Sequence, residues 1–338
     1  LHDPDGFTRW DAGQKLALNE MVRLYNDFTA TGKMPDVKPS HMDTLKTLVN
    51  DRATDPALLA RTLDMPSASE LENRIGQSNP VTIAAVQKHL KTSIATALQN
   101  DLIKLFDDHN DKTPYQYDYA QVGRRSLLAT SLSYLSASND PTKTIRAKAV
   151  YDATDNMTNR MAALSALKNH AVPERDTALT DFLTRYKNDS LTVQKYFTVR
   201  AMADEDNVID DLKKMMTEPY FDWKIPDHGM RVAGGLVAGY NQFHRADGKG
   251  YEFIADTVIK MDALNPMIAS RLVEPLCNWG KYTPDHQTMM IEALQRISNE
   301  RGTDISVPLK ERLVKSLPQQ TAPKTAASFN AAPVTPAP

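Results

Sequence analysis

The stretch VTIAAVQKHLKTSIATALQNDLIKLFDD, residues 81–108, decides the fold class. Its apolar residues Ile83, Val86, Leu90, Ile94, Leu98, Leu102 and Leu105 recur at steps of three and four. That spacing collects side chains along one face of an α-helix and marks one buried stripe. Strand signals are weak, with no sustained apolar/polar alternation bounded by hairpin turns anywhere in the chain.

Outward from this stretch, the same helix-start chemistry recurs. An Asn or Asp precedes Pro at Asp55-Pro56, Asn79-Pro80, Asp140-Pro141 and Asn265-Pro266. The polar side chain caps free backbone N–H groups, and Pro is preorganised for the first helical position. Val172-Pro173 and Thr283-Pro284 play a similar part, and Ser67 with Glu70 reads as a capping box. Leu164 and Leu167 repeat the apolar step within Met161 to His170. Helical periodicity therefore runs from about Arg9 to Leu317. It predicts an all-α protein of about a dozen helices joined by short loops, a superhelical α-solenoid of stacked antiparallel helix pairs. Residues 1–8 read as a linker from an upstream domain, 9–317 as the helical domain, and 318–338, rich in Pro and Ala, as a disordered tail.

Composition narrows the function classes. The 338 residues carry 40 basic and 42 acidic side chains, a net charge of −2, with 41% hydrophobic residues and 13 Gly. The balance and the lack of a Lys/Arg run argue against nucleic-acid or anionic-membrane partners. No apolar stretch approaches the ~20 residues of a membrane helix. Cys277, the one cysteine, excludes an internal disulfide and a cysteine zinc site, and it is compatible with a reducing, cytoplasmic setting. The chain opens on Leu1 rather than Met, and His2-Asp3-Pro4-Asp5-Gly6 reads as linker, so a longer polypeptide is expected.

Catalytic motifs are missing. The eight histidines include no helical zinc pair and no His-Glu-x-x-His. The acidic run Asp107-Asp108-His109-Asn110-Asp111 lacks the Gly and distal Glu of an EF-hand and reads as a solvated helix end. Asp247-Gly248-Lys249-Gly250 reads as a tight turn into a helix at Tyr251, and Gly234, Gly235 and Gly239 as positions of close helix packing. Cys277 reads as a structural thiol.

Asn265 to Gly280 is the most informative helix. Ile268, Leu272, Pro275, Leu276 and Trp279 form an apolar stripe, and Met267, Arg271, Glu274 and Asn278 form a second about a quarter turn away. Pro275 should kink the axis. The second stripe either lines a cavity or carries a surface Arg271–Glu274 ion pair.

Several motifs in order resemble the C-terminal domain of bacterial aminopeptidase N, the alanyl aminopeptidases of the gluzincin type. They are Phe7-Thr8-Arg9-Trp10-Asp11-Ala12-Gly13-Gln14, Asp55-Pro56-Ala57-Leu58-Leu59-Ala60, Asn156-Met157-Thr158, Phe243-His244 with Asp247-Gly248-Lys249-Gly250-Tyr251, and Asn265 through Leu276. One departure is Ile225-Pro226-Asp227-His228-Gly229-Met230-Arg231, where the family often carries Asn-Pro-Asn-Arg-x-Arg. The resemblance implies a superhelical domain packed over an upstream catalytic domain of the same polypeptide, enclosing a chamber for peptide substrates. It implies zinc bound outside this chain, no catalytic or metal residue within it, and substrate-binding roles for Met267 and Arg271. The competing readings are a free-standing helical scaffold that binds a peptide or protein, and an independent hydrolase using Cys277 or a histidine.

Overall fold

The computed structural model describes residues 5–318; the expected tail lies, apart from Pro318, outside them. The helices are α1 Gly6–Thr31, α2 Pro39–Val49, α3 Pro56–Leu63, α4 Ala68–Ile75, α5 Pro80–Ala97, α6 Gln99–His109, α7 Tyr119–Leu135, α8 Lys143–Ala153, α9 Met157–Leu167 and α10 Pro173–Tyr186. They continue as α11 Ser190–Ala201, α12 Val208–Met215, α13 Pro226–Ala238, α14 Tyr240–Phe243, α15 Lys249–Asp262, α16 Pro266–Leu272, α17 Glu274–Cys277, α18 Pro284–Arg301 and α19 Val307–Ser316. Among the described residues no strand forms, only an isolated parallel bridge between Ser78 and Tyr282.

The caps work as the sequence implies. Asp55, Asn79 and Asn265 each accept from backbone N–H groups of the first turn, and Ser67 and Glu70 close a reciprocal capping box. Asp140-Pro141 differs. Asp140 turns back to accept from the amide and hydroxyl of Thr142, and α8 starts only at Lys143. The first helix begins at Gly6, ahead of Arg9, because the Asp5 carboxylate accepts from the Thr8 amide. The stripe of residues 81–108 is buried throughout, but its axis breaks at Leu98, where φ is −107° and ψ 20°. Leu98 stays inside, so α5 and α6 share one apolar face across the bend.

Alternate helices stack. α5 touches α7, α7 touches α9, and the sequence of contacts continues through α11 and α13; α14 then follows α13 and returns to α5. The helices therefore close a circuit. One hydrophobic core lies under α1–α10 and takes in Val199 of α11, and a second lies under α11–α19, with Tyr196 packed against both. Gly235 lets α13 approach Ala201, whose Cβ would sit 2.7 Å from an added methyl, and Gly239 faces the Ala201 carbonyl. Gly248, at φ 73°, makes the turn into α15 that only glycine adopts freely.

A buried polar join ties the halves. The Glu72 carboxylate, from α4, accepts from the Tyr240 hydroxyl at 2.6 Å and the Tyr282 hydroxyl at 3.1 Å. Beside it the Tyr251 hydroxyl lies 2.7 Å from His244 Nδ1 and 2.8 Å from His286 Nδ1. A hydroxyl has one proton, so it donates to one imidazole and accepts from the other. Burial, then the nearby His286, pushes His244 down to about 3, and burial lowers His286 as well.

A Cβ at position 250 would overlap the Phe243 and Gln242 carbonyls, whereas position 234 has open space. Gly250→Ala should therefore cost about 3 kcal/mol in urea unfolding, and Gly234→Ala, on an exposed helix face, should stabilise by up to about 1 kcal/mol. The histidines titrate lower in the folded chain than unfolded, so the unfolded state binds more protons as pH falls through 6.5. Stability should then drop on acidification, and His244→Gln should flatten the slope between pH 6.5 and 5 by up to about 1.4 kcal/mol per pH unit. Identical slopes in variant and wild type would remove His244 from that account.

Candidate functional site

The two-faced helix forms in two pieces. Pro275 has no N–H for the Arg271 carbonyl, so α16 ends at Leu272 and α17 restarts at Glu274. Ala269, Leu272, Val273 and Leu276 face the second core. Met267 is 57% exposed, and Arg271, Glu274 and Asn278 are exposed beside it. Among the described residues no ion pair joins Arg271 to Glu274; Asn278 instead donates to the Glu274 carbonyl at 3.2 Å. The structure thus brings Met267 and Arg271 onto one open face and leaves the guanidinium available. Cys277 is half-buried, and burial raises its thiol above the ordinary value, the opposite of an activated nucleophile.

The acidic run at the C-terminal end of α6 is taken up by arginines of three other segments. Asp108 pairs with Arg52 at 3.1 Å, Asp107 with Arg146 at 3.6 Å and Asp111 with Arg124 at 2.9 Å. Among the described residues, no three His, Cys, Asp or Glu side chains converge to hold a metal ion.

A half-open hollow of about 980 Å³ is lined by the end of α3, α5, α7, the turn after α9, Asp204 and Asn241. Its walls mix Ala84, Ala85 and Ala137 with Thr130, Ser133 and Asn169. Half-buried Lys91 donates to the Ser133 hydroxyl at 2.9 Å. Burial, and after it the ammonium of Lys168, pushes Lys91 down to about 8. Burial lowers Lys168 too, against the pull of Asp204. Sequence reasoning missed this cluster. Lys91 sits one residue after Leu90 of the apolar stripe, and nothing local shows that α7 and the turn after α9 will shield it.

Residues 1–318 match the family described as "Domain of unknown function (DUF3458_C) ARM repeats". The chain is 30% identical over 315 residues to aminopeptidase N of Haemophilus influenzae, covering 92% of this chain and 35% of that protein. It is 28% identical over 319 residues to aminopeptidase N of Escherichia coli, covering 94% and 36%. A crystal structure of Legionella pneumophila aminopeptidase A in complex with aspartic acid superposes with a TM-score of 0.80 at 26% identity, over 93% of this chain and 37% of that one. The chain spans about a third of the length of the relatives it matches. Stacked helices, motif order and relatives agree: the chain belongs to the DUF3458_C family of ARM-repeat domains and is related to bacterial aminopeptidase N.

Proposed function

We propose that this chain is the C-terminal, non-catalytic part of a zinc-dependent aminopeptidase N, enclosing the active-site chamber and controlling which peptides reach it. The observation that carries this reading is the match of nearly the whole chain to about a third of aminopeptidase N relatives. The described residues offer no set of side chains suited to zinc, so the metal and its base would belong to the upstream part, and no step of hydrolysis is assigned to this chain.

Its own contribution would be to binding. The Met267 thioether is unbranched and polarizable, so it adapts to different side chains at little cost. Arg271, exposed and without an acidic partner on its helix, would meet a peptide carbonyl or carboxylate with a fork of N–H donors. Because both residues stand one turn apart on α16, a peptide end lying along that face would touch both. Partners in this reading are the upstream catalytic domain and peptide substrates. No helix among the described residues is long and apolar enough to cross a membrane.

In the intact enzyme, Met267→Ala should change the ratio of kcat/KM between substrates with different N-terminal residues. Arg271→Ala should weaken longer peptides about tenfold while sparing single-residue amides, the scale of one lost charge-assisted hydrogen bond. Unchanged selectivity in both variants would take these residues off the substrate path. The 338-residue chain alone should fold and show no aminopeptidase activity with added zinc; activity there would overturn the proposal.

A further inference from the structure

A pocket of about 330 Å³ opens between the segment 109–115, the first turns of α7 and the turn from α8 into α9. Arg125 lines it and is 8% exposed, yet among the described residues no carboxylate forms an ion pair with its guanidinium. Its Nη1 donates to two neutral oxygens, Gln121 Oε1 at 3.1 Å and the Gln116 carbonyl at 3.5 Å. The guanidinium carbon lies 5.0 Å from the centroid of the Tyr115 ring, an arrangement that holds the group in place. The adjacent Arg124 differs, since it takes Asp111 at 2.9 Å. Asn159, on the first turn of α9 and also 8% exposed, lines the same pocket, and its Oδ1 accepts from no donor. Asp155 stands exposed at the same pocket. Its Oδ2 accepts from the Tyr115 amide at 2.8 Å, and its Oδ1 has only a long contact, 3.4 Å, from Asn156 Nδ2.

A guanidinium withdrawn from water without an anion is costly, and so is an amide oxygen without a donor. The two needs are opposite in kind. Arg125 calls for an anionic acceptor, Asn159 Oδ1 for a donor, and the Asp155 carboxylate favours a donor that is positively charged. A bare anion would leave Asn159 unpaired, and an amine alone would leave Arg125 so. The volume lies near the small end of the ~300–1,000 Å³ of small-molecule sites, and Val150 and Ala153 supply apolar surface in it. We propose that this pocket binds a free α-amino acid with a small apolar side chain. Its carboxylate meets Arg125, its ammonium sits between Asn159 and Asp155, and its side chain lies against Val150 and Ala153. The site needs only this chain's residues and stands apart from the aminopeptidase reading.

Calorimetric titration of the 338-residue chain with L-alanine and L-valine to millimolar concentration tests it. Propionate, a carboxylate without the ammonium, and L-alaninamide, an ammonium without the carboxylate, run in parallel. At least one amino acid should bind, and each single-charge analogue should bind about tenfold or more weaker. Asn159→Leu gives up no side-chain hydrogen bond of the folded chain, so it should keep its helices by circular dichroism and lose about tenfold in affinity. Arg125→Gln should lose binding altogether, and Lys310→Gln, on the exposed side of α19, should leave it unchanged. Absence of binding by both amino acids overturns the proposal. So does propionate binding as tightly as L-alanine, which would make this a simple anion site, or equal affinity in wild type and folded Asn159→Leu.

Discussion

One buried carboxylate, Glu72, holds the architecture together. It accepts two tyrosine hydroxyls that come from far along the chain, Tyr240 and Tyr282, and it does so where water is excluded. Neither hydroxyl has another partner of comparable strength beside it, and a carboxylate left bare at this depth would cost several kcal/mol. The three groups are therefore interdependent. The backbone bridge from Ser78 to Tyr282 and the contact of α14 with α5 gather around the same point. Two hydrophobic cores that otherwise meet along Tyr196 are thereby fixed in one arrangement.

Local features were readable in the sequence because their causes are local. A capping Asn or Asp acts on amides two or three residues away, and an apolar stripe needs only its own spacing, so Asn79, Asn265 and the run from Ile83 to Leu105 all behave as read. Asp140 escaped because its nearest donor, Thr142, competes with the helix for the same carboxylate. The break at Val273 rather than at Pro275 follows from which carbonyl loses its donor. The Glu72 join could not be read, since its partners lie 168 and 210 residues away. The exposed face of Met267 and Arg271 was legible as a stripe, whereas its link to peptides came from resemblance alone.

The hollow illustrates a common tension. Lys91, on its wall, reaches the Ser133 hydroxyl, while burial of its stem works against the charge on its ammonium. The exposed stripe of α16 is the complementary case. Its groups are solvated, cost little to keep, and leave the second core behind them undisturbed.

A solenoid with free ends deforms like a spring, because each repeat touches only its neighbours and small rotations add along its length. Strapping α14 back onto α5 removes that freedom. Stretching or twisting one segment must now strain the others. Two tyrosines on a single carboxylate turn a compliant coil into a stiff ring.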